Sequence, residues 1–413
     1  MTPDSADRPL VLLIGSGHRR YREYLLQALA VHADIWLLQA TKPDWQQPYI
    51  TGWIPLPSMA PDDIVRVARQ VASERRVDGC VTWDEFSVIA AALVCEKLNL
   101  PGFGVTAARA CRDKVMTREA LAVAGVPQPA FWPVTSLAET EAVADELGWP
   151  VVVKPRRLGA SLGVTITSST DDLKRAFAQA AETGEADILP SEDLIVEKAL
   201  AGPEVSVDCA VINGEVSPLF CANKEIGFAP WCEEVGHTVN ANEPLLNDPA
   251  FVQLLNQIHQ ALGVRFGITH TEVILTAKGP AVVEVNARWG GDLIPRLGMN
   301  ATGIDVGAVT ASVATGRPLN ARPTIYRAAA VAFRYPPESG WVIDIRTTSV
   351  PEVPGVMIEV ESLAEVGDLL RLPPEDHVAG RHGFLLATGP DTDTCIKAIS
   401  ACEDSLFVRV EPR

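Results

Sequence analysis

Val283-Glu284-Val285-Asn286-Ala287-Arg288 is the stretch whose reading decides the fold. Side chains alternate faces along a strand, so Glu284, Asn286 and Arg288 point one way. Val283, Val285 and Ala287 point the other way, into a core. A second candidate strand, about Thr271–Leu275, precedes it through Ala277-Lys278-Gly279-Pro280. A turn centred on Lys278 sets Glu272 directly opposite Glu284. Like charges facing each other on a sheet are destabilising unless a cation lies between them. Magnesium suits the position, because it takes oxygen ligands, keeps waters and bridges substrate phosphates. Glu272, Glu284 and the Asn286 amide are therefore candidate metal ligands, with manganese as the alternative ion. Zinc is disfavoured: His270 is near, but no Cys or second His supplies the ligands zinc prefers.

Upstream, Val151-Val152-Val153-Lys154 reads as an apolar strand ending in a cation. Arg156–Gly163 follows as a loop, and Val164–Thr167 as the returning strand. Small residues at Gly159, Ala160, Ser161 and Gly163 let backbone N–H groups approach phosphate oxygens. The Walker pattern is absent, and the loop joins two strands rather than opening a helix. A second cluster, Glu197-Lys198-Ala199-Leu200 and then Glu204, suits a strand end that meets an adenine through side chain and main chain, with Glu204 near the ribose. Taken alone, it is no stronger than a surface ion pair. Gly15-Ser16-Gly17 after the first strand invites a dinucleotide reading, but Arg20 stands where the third glycine should be, so the fingerprint fails. The turn leaves His18 or Arg19 as candidate substrate contacts.

The 413 residues suit two to four packed units and are 47% hydrophobic, enough for a large core. A net charge of −17 argues against a nucleic-acid partner, which needs a basic face. It does not oppose a nucleotide site, which needs only a few local cations. The apolar run Leu10–Ile14 is too short for a signal core or a membrane span, and no other run approaches that length. Eight cysteines without a C-x-x-C pair read as reduced thiols in a cytoplasmic protein.

The first hundred residues alternate strand and helix: Leu10–Ile14, a helix at 19–30, Asp34–Leu38, a helix at 61–75, Gly79–Thr82, and a helix over Glu85–Leu98. This rhythm predicts a parallel sheet covered on both faces. A single helix is expected from about Ala107 to Ala124, and others over Ser136–Leu147, Asp171–Thr183 and Phe251–Leu262. From Leu194 the pattern turns antiparallel, with Asn213-Gly214 as a hairpin turn. The final stretch is strand-rich, at Ala328–Arg334, Val356–Val360 and Gly383–Thr388.

Together these pieces resemble the ATP-grasp superfamily, and more narrowly its carboxylate–amine ligases. The residues that carry the resemblance are Asp113-Lys114, Lys154 with the glycine loop, Glu197-Lys198-x-Leu200-x-Gly202-x-Glu204, and Glu272 followed by Glu284-x-Asn286-x-Arg288. It implies a mixed α/β and α+β fold in four parts: a Rossmann-like domain at 1–106, a small subdomain at 107–192 with the phosphate loop, a large subdomain at 193–317 with the metal site, and an α+β domain at 318–413. It also implies roles. Lys114 and Lys154 would hold the α- and β-phosphates of ATP, and the 157–163 loop, with Gly159, Ser161 and Gly163, would close over the γ-phosphate. Glu197 and Lys198 would meet the adenine beside main chain at Ala199 and Leu200, and Glu204 would meet the ribose. Lys224 is a further phosphate candidate. Arg288 would stabilise an acyl phosphate and the tetrahedral intermediate, making Arg288, Lys154 and Ser161 the expected catalytic contacts.

His270-Thr271-Glu272 and Arg288-Trp289-Gly290-Gly291-Asp292 are similar to the L-amino acid ligases that make dipeptides. Gly290 and Gly291 would offer N–H groups to a substrate carboxylate. His270 is either a contact to the amino acid or a satisfied structural histidine. Glu272 and the long C-terminal extension depart from the D-alanine–D-alanine ligase pattern. The implied partners are small carboxylates and amines, with a homodimer as the assembly, and no stretch identifies its interface. The rival activity is an ATP-dependent carboxylase of the biotin carboxylase type, which would share the nucleotide site and activate bicarbonate.

Overall fold

The computed structural model describes residues 8–184 and 189–413. The polar residues 1–7 lie outside that range. Four parallel strands open the chain in the order Gly52–Pro55, Asp34–Gln39, Leu10–Ile14, Gly79–Val81. Their apolar runs are buried because helices cover both faces. The edge strand Gly52–Pro55 escapes a sequence reading, since a Gly-Trp-Ile-Pro run carries little strand pattern.

The expected single helix over 107–124 is two helices, Val105–Arg112 and Lys114–Val123. Asp113 separates them. Its backbone is extended and its carboxylate accepts the Val115 and Met116 N–H groups, so it caps a new helix rather than continuing the old one. The expected helix from Glu85 likewise begins as a 3-10 turn, Glu85–Ser87, capped by Asp84, and becomes α-helical at Val88.

A second sheet is antiparallel, in the order Phe131–Val134, Leu194–Lys198, Val151–Pro155, Thr165–Thr167, backed by helices Leu137–Leu147 and Thr170–Glu182. The third has eight strands: Gly279–Asn286, Phe266–Thr276, Glu204–Ile212, Glu215–Gly227, Glu233–Asn240, Ala328–Arg334, Gly383–Gly389 and Met357–Ser362. Two expected boundaries fall differently here. Leu194–Lys198 belongs to the small sheet, and three strands beyond residue 318 continue the large one, through Glu233–Asn240 paired with Ala328–Arg334. A three-stranded sheet, Leu369–Leu370, Gly340–Thr347 and Leu406–Pro412, completes the C-terminal part.

Two helices not foreseen from the sequence, Ile294–Thr302 and Val306–Thr315, tie the large sheet to the first helix, Arg19–His32. Gly307 allows the approach: a Cβ there would sit 2.1 Å from the Ala28 carbonyl oxygen. Among the described residues no helix is long and apolar enough to cross a membrane.

Helix Pro249–Ala261 packs on the large sheet and buries His259. The imidazole lies 2.6 Å from both the Leu255 carbonyl and the Thr269 hydroxyl, so one nitrogen donates to the carbonyl and the other accepts the hydroxyl proton. Burial pushes its pKa down to about 4. A depressed histidine stabilises the fold above its unfolded value of about 6.5, and that contribution fades as pH falls towards 4. Thermal melts should therefore show about 3 kcal/mol of stability lost over that window. His259→Gln should flatten this part of the profile. An unchanged slope in the variant would remove His259 as its source.

Candidate active site

The hairpin of Phe266–Thr276 and Gly279–Asn286 pairs Glu272 with Glu284, Thr271 with Val285 and His270 with Asn286. The turn itself is only Ala277-Lys278, since Thr276 pairs with Gly279 and Val273 with Val282. The register shifts between Glu272 and Val273, so Val283 is an extra, bulged residue. Its effect is a change of phase. Val282, Val285 and Ala287 enter the core, whereas Val283 faces the cavity beside Glu284, Asn286 and Arg288. The expected inward orientation of Val283 is thus corrected, and the reason is the bulge: two successive residues share one face.

These side chains line a cavity of about 210 Å³ between the small and large sheets. Lys114, Lys154, Gly159, Ser161, Glu197, Lys198, Ala199, Leu200, Glu204, Lys224, His270, Glu272 and Gly291 line it too. The loop residues Ala160, Ser161 and Gly163 have positive φ (52°, 56° and 69°), a tight succession of turns that leaves Gly159, Ala160 and Ser161 at the cavity wall.

The acidic groups are matched by cations. Lys224 Nζ is 2.6 Å from Glu204, 2.8 Å from Glu234 and 3.0 Å from Glu272. Burial works against the Lys224 charge, but the three carboxylates overcome it and hold its pKa well above the lysine value. Burial also opposes the Glu272 charge, and Lys224 with His270 pull that carboxyl well below its usual range. Lys114 Nζ stands 3.6 Å from Glu284. The Asn286 amide satisfies its neighbours when its nitrogen donates to Glu284 (3.2 Å) and Glu85 (3.3 Å). Two carboxylates and one amide oxygen, opposed across a hairpin, fit a hard divalent cation.

Lys154 lies 2.8 Å from Glu197, which is also gripped by Arg118 at 2.8 Å. Burial opposes ionisation of Glu197, yet the two cations bring its pKa to about 2. The Glu197 carboxylate is therefore committed to Lys154 and Arg118. Lys198 Nζ donates to the Gly148 and Trp149 carbonyls at 3.0 and 2.8 Å. Both expected adenine side chains thus have internal partners, while Ala199 and Leu200 line the cavity, the Ala199 N–H donating to the Pro150 carbonyl at 3.1 Å.

His270 donates to Asp208 at 2.6 Å, with its other nitrogen 3.6 Å from Glu272. Burial disfavours the imidazolium, but Asp208 and Glu272 raise the pKa to about 9. Asp208 also accepts the Gly290 N–H at 3.3 Å, so that N–H is occupied, and Gly291 is the glycine lining the cavity. A side chain at Gly290 would meet His270 at 2.8 Å. Arg288 pairs with Glu85 at 2.5 Å, and Arg112 holds the same carboxylate at 2.9 Å. The Gly15-Ser16-Gly17 turn stands apart: Ser16 bonds Gln39, and Arg19 pairs with Glu23 at the surface.

Sequence reasoning missed Glu85, Arg118, Asp208, Glu234 and Arg381. Asp208 could have been found, because Glu204-x-Ser206-x-Asp208 alternates against an apolar Val205-x-Val207-x-Cys209 row. Arg381 had no local signal. It reaches the cavity from the C-terminal part and holds Asp292 through two bonds of 2.7 and 2.9 Å.

An ATP-grasp domain model matches residues 147–296, and an ATP-grasp N-terminal domain model matches 31–102. The chain belongs to the ATP-grasp superfamily. Phosphoribosylamine–glycine ligase of Mycobacterium leprae is 31% identical over 302 residues, covering 68% of each chain. Alanine–anticapsin ligase of Bacillus subtilis (strain 168) is 27% identical over 260 residues, 57% of this chain and 54% of that one, so the match spans about half of that relative's length. The crystal structure of L-amino acid ligase from Bacillus licheniformis superposes with a TM-score of 0.79 at 24% identity, over 98% of this chain and 99% of that one, and has the same fold.

Proposed function

We propose that this chain is an ATP- and magnesium-dependent ligase. It activates a carboxylate as an acyl phosphate and joins it to an amine, with an L-amino acid among its substrates, and releases ADP and phosphate. The observation that carries the reading is the Glu272/Glu284 pair, opposed on the cavity face of one hairpin with Asn286 and Arg288 in line. The names of the similar ligases support the same chemistry.

Glu272, Glu284 and Asn286 would hold magnesium, which supplies charge neutralisation to the phosphates. Lys114 and Lys154 reach the same cavity, and the loop residues Gly159, Ala160 and Ser161 at its wall would meet the γ-phosphate. The substrate carboxylate oxygen attacks the γ-phosphorus as its bond to ADP breaks. Arg288 lies beside the acyl group and offers the developing oxyanion a fixed donor. The His270 imidazolium adds a second positive group, held by Asp208. The amine then bonds the acyl carbon, phosphate leaves, and the nitrogen gives up a proton. Closure of the glycine loop excludes water, which would otherwise hydrolyse the acyl phosphate.

The test is a screen of amino-acid pairs read by phosphate release and product mass. Release that requires an amino acid, with a condensation product, is the expected result. Bicarbonate-dependent turnover indifferent to amino acids would instead assign a carboxylase.

A further inference from the structure

The strand that carries Glu284 and Asn286 is the outermost of its sheet, so one edge has no neighbouring strand among the described residues. Backbone groups on such an edge need other partners. Val282 N–H donates to the Pro127 carbonyl at 2.9 Å. Arg118 donates to the Val282 carbonyl at 3.1 Å and to the Val283 carbonyl at 2.7 Å. Two successive carbonyls pointing outward are the mark of the bulge, and Arg118 takes both. The same guanidinium holds Glu197 through Nε and Nη2, at 2.8 and 3.2 Å, and Gln128 fixes the Arg118 carbonyl at 2.8 Å. Arg118 is 1% exposed.

The phase of the strand depends on that bulge. Val282 faces the core. Unbroken alternation from there would turn Glu284 and Asn286 inward and Val285 towards the cavity. The extra residue at 283 reverses this. We infer that Arg118 is the positioning residue of the metal site: by binding the Val282 and Val283 carbonyls it holds the bulge that turns Glu284 and Asn286 into the cavity. Through Glu197 and Lys154, the same side chain fixes the nucleotide strand to the metal strand. This rests on the metal reading above.

The test measures manganese bound in the presence of saturating ADP, by electron paramagnetic resonance of the free ion, on the full chain. Arg118→Lys keeps a cation for Glu197 but cannot span both carbonyls and the carboxylate. It should weaken manganese binding by about 10- to 100-fold, the range for partners that orient metal ligands, and lower the melting temperature, because buried carbonyls lose their donors. Glu284→Gln is measured alongside. If it binds manganese like the parent protein, the metal reading fails. If it loses the ion while Arg118→Lys stays within about twofold of the parent, the positioning role fails. Glu197→Gln decides the matter independently should the Arg118 variant not fold. It leaves both carbonyl contacts in place, so ADP affinity should fall while manganese affinity stays within about twofold. A loss of about tenfold or more in manganese affinity there would show that the ion pair, and not the carbonyl clamp, sets the site.

Discussion

Glu284→Gln should lower turnover by about 10³-fold on the metal reading proposed above, because it would take away one of the two carboxylates that hold the ion and with it several kcal/mol of transition-state charge stabilisation. The fold should not suffer. Glu284 has Lys114 at 3.6 Å but also faces Glu272 across the hairpin, so the loss of that long ion pair is offset by relief of the repulsion between two opposed carboxylates. Neutralising one should leave the melting temperature of the ligand-free protein unchanged or raise it. The two readouts therefore move apart: catalysis collapses while stability holds. ADP binding, followed by calorimetry, should remain measurable, since Lys114, Lys154 and the strand at 197–200 are untouched. Turnover within about tenfold of the parent would remove Glu284 from the metal site.

Arg288→Lys should cost about 10²–10³ in kcat and leave the KM for ATP nearly unchanged. Lysine retains a charge but not the planar fork that can meet Glu85 and an oxyanion together. Arg288 is almost buried against Glu85, so the choice of substitution matters. Arg288→Met strips a cation from a buried carboxylate that then keeps Arg112 as its ion-pair partner, and should also cost about 3 kcal/mol of stability. Comparing the two separates chemistry from folding. If the lysine variant loses activity only in proportion to its melting temperature, Arg288 is a structural counter-ion. Equal rises in the KM for ATP and falls in kcat would place it at the nucleotide instead.

The parts legible in the sequence were those where a local pattern reports a local geometry. Parallel strands in the first hundred residues announce themselves by short apolar runs between helices. The pairing of Glu272 with Glu284 was also readable, though by a partly compensated route. The real turn is Ala277-Lys278, which lies half a residue earlier than a turn centred on Lys278, and the bulge at Val283 makes up the difference. Alternation alone could not reveal the bulge, because Val282 and Val283 are chemically alike and only one of them is core. The partners of the site residues were hidden for another reason. Arg118, Asp208 and Arg381 act across sequence separations of 79, 62 and 89 residues, on Glu197, His270 and Asp292 respectively. No periodicity reports such pairings. The broken helix at Asp113 was missed because a side-chain cap divides a run that carries no Gly or Pro to announce a break.

The continuity of the eight-stranded sheet bears on how this chain can be divided. The strand Glu233–Asn240, which carries Glu233 and Glu234 at the cavity wall, is roofed on one side by Ala328–Arg334. Ending the chain near residue 317 would strip that partner away and leave a row of open N–H and C=O groups. It would also strip one of the strands that Ile294–Thr302 packs on. Such an edge is a template for pairing with another chain. The last ninety-six residues are thus no appendage to the part that holds the cavity: they seal its sheet, and a shortened chain would be an aggregation hazard and not a smaller stable domain.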